Sequence, residues 1–233
     1  MNGTAEQALE GTPQAQAQTP ALAERQALES SRRGYRLFAP LYDFVFGASL
    51  QHGRRVAVGA LECRPGEKVL ELGIGSGLSL ALYPADAELV GIDLSPEMLA
   101  RARRRLARLP SRAPRTLLAM NAERLQFADA SFDKAIVLFA LAGLPDPVRA
   151  LRELRRVCKP GATLVIANRF RSATGRLRVL DVLLSPLFRL LRYRADLDGE
   201  ALVRAAGLEL IDARPVNLFG YSTVLVCRSG STR

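Results

Sequence analysis

Short apolar runs alternate with amphipathic stretches through most of the chain. Runs at 68–72, 88–93, 115–120, 134–139 and 163–168 have the length and β-branched content of buried strands. Stretches at 78–83, 96–109 and 147–158 read as the helices between them. A helix at 200–206 and strands at 209–215 and 223–227 follow. Strands alternating with helices predict an α/β fold, a mostly parallel sheet with helices on both faces and ligands bound off the carboxyl ends of its strands.

Two regions depart from this pattern. Residues 1–20 repeat Ala-Gln and Thr-Pro and hold one large apolar residue, Leu9, too little to order a segment, so a disordered tail is expected ahead of a domain at 21–233. Within that domain a helix is expected at 22–33. An aromatic segment broken by Pro40 follows it, and 21–60 as a whole is positioned to fold back as a lid. At 169–195, Leu177, Leu180, Leu184, Leu187 and Leu191 share one helical face, with Arg178, Asp181, Ser185, Arg189 and Arg192 opposite. This insertion is either a helix packed on its own domain or a basic amphipathic stretch that lies on an anionic membrane.

Composition narrows the class. A chain of 233 residues, 48% hydrophobic, suits one α/β domain. It has no apolar run of the ~18 residues a membrane span requires and no secretory pattern at its start, so a cytoplasmic location is expected. Cys63, Cys158 and Cys227 are far apart in apolar surroundings, which suggests buried thiols and neither disulfides nor a metal site. The net charge of +10 rests almost entirely on arginine and reflects either an anionic partner or the composition of a GC-biased genome. It comes without aromatic interleaving, so no nucleic-acid partner is expected.

Candidate chemistry concentrates at Lys68-Val69-Leu70-Glu71-Leu72-Gly73-Ile74-Gly75-Ser76-Gly77-Leu78. A buried strand enters a turn with glycines at alternate positions, where the chain can adopt positive φ and no Cβ holds a ligand away. The next strand ends in Asp93, about 20 residues beyond the first glycine, where a carboxylate can accept from both hydroxyls of a ribose.

Glu71-Leu72-Gly73-Ile74-Gly75-Ser76-Gly77 resembles the first motif of class I S-adenosylmethionine-dependent methyltransferases, and Gly91-Ile92-Asp93-Leu94-Ser95-Pro96-Glu97-Met98-Leu99 resembles their second strand and following helix. Ser131-Phe132-Asp133, Leu144-Pro145-Asp146-Pro147 and Arg155-Arg156-Val157-Cys158-Lys159-Pro160-Gly161 complete the set in order, over residues 35–228. The resemblance implies a Rossmann-like, mostly parallel seven-stranded sheet ending in an antiparallel pair, with S-adenosyl-L-methionine as cofactor. Within the class, Tyr42-Asp43-Phe44-Val45-Phe46-Gly47, Gly53-Arg54-Arg55, Asn168-Arg169-Phe170-Arg171-Ser172 and Arg214-Pro215-Val216-Asn217-Leu218-Phe219-Gly220 resemble bacterial phosphatidylethanolamine N-methyltransferases.

The resemblance implies the site residues. Gly73, Gly75 and Gly77 would admit the methionine part of the cofactor, Asp93 would hold the ribose, and Glu71 would support the loop. Leu94, Met98, Asn121 and Ala122 would contact the cofactor, with Asn121 where the family usually carries an acid that accepts from the adenine amine. Phe139 would line the pocket or pack in the core. Tyr35 and Tyr42 would belong to the lid or anchor the N-terminal helix. Tyr42, Asn168 and Arg169 would stand on the catalytic side, and the family pattern has His where this chain has Arg169. His52, the only histidine, is expected in a surface or capping role rather than in catalysis.

A neutral amine needs little acid-base help to attack an activated sulfonium, and the sequence presents no evident base. Ala142-Gly143 stand where quinone-ring methylases often carry histidines. The resemblance to phosphatidylethanolamine N-methyltransferases implies, as the leading expectation, methylation of an aminolipid headgroup at the inner face of the membrane. The alternatives are a soluble small-molecule N- or O-methyltransferase and a non-catalytic cofactor-binding module.

Overall fold

A computed structural model describes residues 49–170, 197–217 and 220–230. Its sheet has seven strands: β1 (Lys68–Leu72), β2 (Glu88–Asp93), β3 (Arg115–Ala119), β4 (Phe132–Leu138), β5 (Cys158–Asn168), β6 (Leu208–Val216) and β7 (Ser222–Ser229). They lie in the order β3-β2-β1-β4-β5-β7-β6. The strands β1 to β5 pair in parallel, and β7 runs antiparallel between β5 and β6. The strand order reverses between β1 and β4. Their carboxyl ends diverge there into the crevice where open α/β sheets take ligands.

The helices are α1 (Gln51–Ala60), α2 (Pro96–Leu106), α3 (Pro147–Val157) and α4 (Gly199–Ala205). Three starts have side-chain caps: Ser95 Oγ accepts from Met98 N–H, Asp146 Oδ1 from Arg149 N–H, and Asp198 Oδ1 from Ala201 N–H. Pro96 and Pro147 sit in the first turns of α2 and α3, where no amide donor is needed. One sheet face packs Leu70, Leu72, Val137, Leu164 and Ile166 against Leu151 and Leu154 of α3 and Val203 of α4. The other packs Val69, Leu89, Ile136 and Val165 against Ala57 and Val58 of α1 and Leu99 and Ala102 of α2. Each fully buried leucine contributes about 2 kcal/mol.

The stretch expected as a helix at 78–83 forms only a 3₁₀ turn, Leu80–Leu82. Ser79 and Tyr83 spend their hydroxyls on Glu71 below, and Pro84 ends the segment. β5 starts five residues before the expected 163, because Cys158 already pairs with Phe132 across a register shift. Helix α1 has a weak sequence signal, since its buried face is built from Gly53, Arg54, Ala57 and Val58. The expected tail at 1–20, helix at 22–33, residues Tyr35 and Tyr42, and the stretch 171–196 lie outside the described residues.

Two of the later motifs are architectural. Asp133 accepts from Lys68 N–H at 2.9 Å and pairs with Lys159, tying together the starts of β1, β4 and β5. Arg156 donates to the carbonyls of Leu125 and Phe127, both at 2.9 Å, and pairs with Glu153. It thereby holds the loop after β3 against α3. The three cysteines are free thiols, and burial pushes both Cys158 and Cys227 up to about 12.

Candidate active site

The cleft opens at the carboxyl ends of β1, β2 and β4. Gly73, Gly75 and Gly77 all have positive φ, at 72°, 56° and 79°, a backbone conformation that favours glycine at each. The three differ in what surrounds them. A Cβ on Gly73 would stand 2.4 Å from Cβ of Ala140, and one on Gly77 would meet Leu80 at 2.5 Å and Ala102 at 3.1 Å. A Cβ on Gly75 would meet nothing within 4 Å. Gly73 and Gly75 line the cleft, whereas Gly77 lies outside the lining and lets the loop close onto α2.

The loop is bonded from both sides. Gly73 and Ile74 N–H both donate to Ile92 O at 2.9 Å, and Gly77 N–H donates to Ile74 O at 3.0 Å. Asp93 accepts from Gly75 N–H at 2.8 Å through Oδ2 and from Ser95 N–H at 2.9 Å through Oδ1. One carboxylate therefore joins the loops after β1 and β2 and keeps lone pairs for the cleft it lines. Burial raises the Asp93 carboxyl above its ordinary range, and the amides of Ser95, Gly75 and Leu94 work against that shift.

Glu71 is fully enclosed beneath the loop. Ser79 Oγ lies 2.8 Å from both its oxygens, and Tyr83 donates its hydroxyl to Oε2 at 2.7 Å. Burial pushes this carboxyl up to about 7, opposed by the two hydroxyl donors and by the charge of Arg54. Leu94 and Met98 line the cleft beside Asp93, and Asn121 and Ala122 line it beyond β3. Asn121 Oδ1 accepts from Glu123 N–H at 2.9 Å. Phe139 leaves β4 at φ 57° and donates its N–H to Ala167 O at 2.7 Å. It is buried in the core and also lines the cleft, so its two expected roles coexist.

Asn168 and Arg169 are not among the residues that line this cleft. Asn168 is fully buried at the end of β5, where Nδ2 donates to Arg169 O at 2.9 Å and Oδ1 has no hydrogen-bond partner. The Arg169 guanidinium is 4.9 Å from the centre of the Tyr221 ring. His52 is exposed on α1. Among the described residues no group of three or more His, Cys, Asp or Glu is placed to hold a metal ion.

Sequence reasoning missed Arg54 and Glu123 as lining residues. Arg54 is 6% exposed, its guanidinium 5.5 Å from the centre of the Phe139 ring. The available signal was an arginine three and four residues before Ala57 and Val58 on the buried face of a helix. Glu123 accepts from Asp146 N–H at 2.8 Å, a contact 23 residues away that no local pattern reveals.

A glycine turn with open space over Gly75, a carboxylate at the end of β2, apolar Leu94 and Met98, and an amide after β3 suit a nucleoside joined to an amino-acid arm. The fold and this cleft define a class I methyltransferase. A family model described as a methyltransferase domain matches residues 70–166. The chain is 34% identical to the phosphatidylethanolamine N-methyltransferase of Cereibacter sphaeroides over 85% of its own length and 97% of that protein. It is 38% identical to the demethylmenaquinone methyltransferase of Paenarthrobacter aurescens over 56% of its length and 51% of that protein. Among solved structures it resembles the methyltransferase bound to the Trm112 activator of Haloferax volcanii, with a TM-score of 0.72 at 19% identity over 87% of this chain and 99% of that one. The chain belongs to the class I S-adenosylmethionine-dependent methyltransferases, and S-adenosyl-L-methionine is its cofactor.

Proposed function

We propose that this enzyme methylates the amine of an aminophospholipid headgroup, carrying phosphatidylethanolamine towards phosphatidylcholine. The observation that carries the reading is the extent of similarity. The relative that acts on phosphatidylethanolamine matches along 97% of its length, beyond the cofactor motifs, whereas the quinone methylase matches along 51%. The turn Leu141–Gly143, of which Gly143 lines the cleft, carries no titratable side chain, so the headgroup ammonium would give its proton to water before the neutral amine attacks the methyl group.

In this reading Asp93 receives the ribose hydroxyls, and Asn121 and Ala122 meet the adenine edge. Leu94 and Met98 pack on the nucleoside, and Gly73 and Gly75 admit the amino-acid arm. Glu71 holds the loop through Ser79 and Tyr83, and Gly77 acts by packing. Phe139 forms the wall between this cleft and the acceptor side, where Asn168 and Arg169 stand. The cofactor supplies a methyl group on a positively charged sulfur. The chain aligns the amine with it and excludes water, and alignment is where such an enzyme gains most of its rate.

Tyr35 and Tyr42 as lid residues, and docking on an anionic membrane through 169–195, belong to the same proposal. Among the described residues no helix is long and apolar enough to cross a membrane. Flotation with phosphatidylglycerol vesicles should show binding that salt abolishes over a screening length of about 10 Å. A protein that stays soluble with every vesicle composition would sink the docking proposal. A quinone or a soluble small-molecule acceptor is the second reading, the quinone favoured by the demethylmenaquinone relative. Lipid mass spectrometry of a bacterial host without phosphatidylcholine decides between them. New mono-, di- or trimethylated phosphatidylethanolamine supports the proposal, and an unchanged lipid profile in a host that makes active enzyme contradicts it.

A further inference from the structure

Between Glu97 and Glu123 the chain carries seven arginines and no acid. Two of them hold the fold: Arg103 donates to Leu117 O at 3.2 Å, and Arg115 donates to the carbonyls of Leu80, Tyr83 and Pro84. The other five, Arg101, Arg104, Arg105, Arg108 and Arg112, make no side-chain hydrogen bond or ion pair among the described residues. Arg101 is half-buried and the rest are exposed. Helix α2 buries Met98, Leu99 and Ala102, and Leu106 and Leu109 pack partly against the same side of the sheet. Arg101, Arg104 and Arg108 recur at spacings of three and four and so share the opposite face, with Arg105 at its edge. The turn after the helix, in which Arg108 N–H donates to Arg105 O at 3.1 Å, carries the stripe past the last helical residue.

This face works against its own helix. Arg101 stands three and four residues from Arg104 and Arg105, and Arg108 stands at the same spacings from both, where like charges destabilise a helix. One or two cations in a last turn suit the helix dipole, and this many exceed what it rewards. The nearby acids relieve little of the repulsion. Glu97 lies at the far end of the face and accepts from Ser95 Oγ at 2.9 Å. Asp86 follows Ala85, whose carbonyl accepts from Arg112 N–H at 2.8 Å, and makes no ion pair among the described residues. An external anion would relieve it, and the chemistry of the face selects the kind. It exposes no large apolar side chain to anchor a protein partner: the one exposed among the described residues is Ile211, on β6 at the opposite edge of the sheet. It has no aromatic ring on which a nucleic-acid base could stack. An extended surface of lipid phosphates needs neither, and every arginine held near it adds to the attraction. The stripe begins one helical turn beyond Met98, which lines the cleft, so a bilayer against it lies beside the rim of the site.

We propose that the arginine face of α2 is a docking surface for a bilayer that contains anionic phospholipid. The proposal rests on the phospholipid reading of the acceptor and adds to it a membrane contact separate in sequence from 169–195.

Co-sedimentation of the full chain with vesicles of phosphatidylglycerol and phosphatidylcholine tests it, at about 0.1 M salt, where charges act over about 10 Å. Replacing Arg101, Arg104, Arg105 and Arg108 together by Gln should lower vesicle affinity at least about tenfold, because each arginine near an anionic surface contributes. The same positions changed to Lys should bind like the wild type, since the attraction is to charge. Replacing four other exposed arginines, Arg64, Arg124, Arg204 and Arg228, by Gln lowers the net charge equally and should leave affinity within about twofold. Methylation of phosphatidylethanolamine in neutral detergent micelles should be unchanged in the α2 Gln variant, because none of its four positions lines the cleft. Equal losses in the two Gln sets, or a wild type that binds no vesicle, would overturn the proposal. So would tighter binding to duplex DNA than to the vesicles, lost in the same variant. A wild type that binds vesicles through α2 and methylates no phosphatidylethanolamine in micelles would leave the surface standing and count against the acceptor reading.

Discussion

Along the carboxyl edge of the sheet, the ends of β1 and β2 carry a loop whose amides are bonded one after another, to Ile92, to Asp93 and within the loop itself. The ends of β5 and β7 carry buried polar side chains with atoms to spare: Asn168 Oδ1 and Ser222 Oγ, with Asn217 Nδ2 beside them. Within the glycine loop only the Ser76 hydroxyl is left over. A buried polar atom without a partner costs about 1 to 3 kcal/mol, so a fold keeps several together where something else compensates. The first half is prebuilt for a cofactor of fixed shape. The second, in the proposed function, is completed by the acceptor.

The largest effect expected from this contrast is in the prebuilt half. Gly75→Val places a branched side chain in open cleft at a φ of 56°, and its affinity for S-adenosylhomocysteine should fall by at least about a hundredfold, near 3 kcal/mol. Wild-type affinity in that variant would remove the loop from the site.

Glu71 should show its burial through pH. Its folded carboxyl titrates near 7 against an ordinary 4.5, so the folded state holds the proton more tightly than the unfolded chain does. The resulting stability is complete below about pH 4.5 and is lost as pH rises through 7, an effect on the order of 3 kcal/mol. Melting temperatures of the wild type should therefore drop relative to Glu71→Gln between pH 5 and 8. Parallel curves would mean that Glu71 is ionised throughout.

Asp93→Ala removes both a ligand acceptor and the acceptor for Gly75 and Ser95 N–H. It should weaken S-adenosylhomocysteine binding by about 1 to 3 kcal/mol and also lower the melting temperature. A loss of affinity alone would show that the brace is dispensable. The smallest effect is expected across the divide. Asn168→Ala should slow methyl transfer on the order of tenfold, about 1.4 kcal/mol, with cofactor affinity unchanged. A change in affinity instead would erase the distinction between the halves.

The same contrast governs what the sequence made legible. Glycine spacing and an acid at a strand end are local signals, and the loop, Asp93 and most strand positions could be read from them. Gly77 looked like the other two glycines because only the fold brings Ala102 of α2 against it. Arg54 escaped notice because its helix buries glycine, alanine and valine, too weak a stripe to announce a core-facing surface. The contact that positions it, from Gly53 N–H to Asn217 Oδ1, joins residues 164 apart. Asn168 and Arg169 were singled out by resemblance; both are buried at the end of β5 and are not among the residues that line the cofactor cleft, a placement that strand register decides and spacing does not.

The most direct test of the proposed function is turnover of purified enzyme with S-adenosylmethionine on vesicles containing phosphatidylethanolamine, measured beside demethylmenaquinone in the same vesicles. Methyl transfer to the phosphatidylethanolamine amine, with the quinone left unmodified, is the predicted result. Methylation of the quinone with no methylated lipid would contradict it.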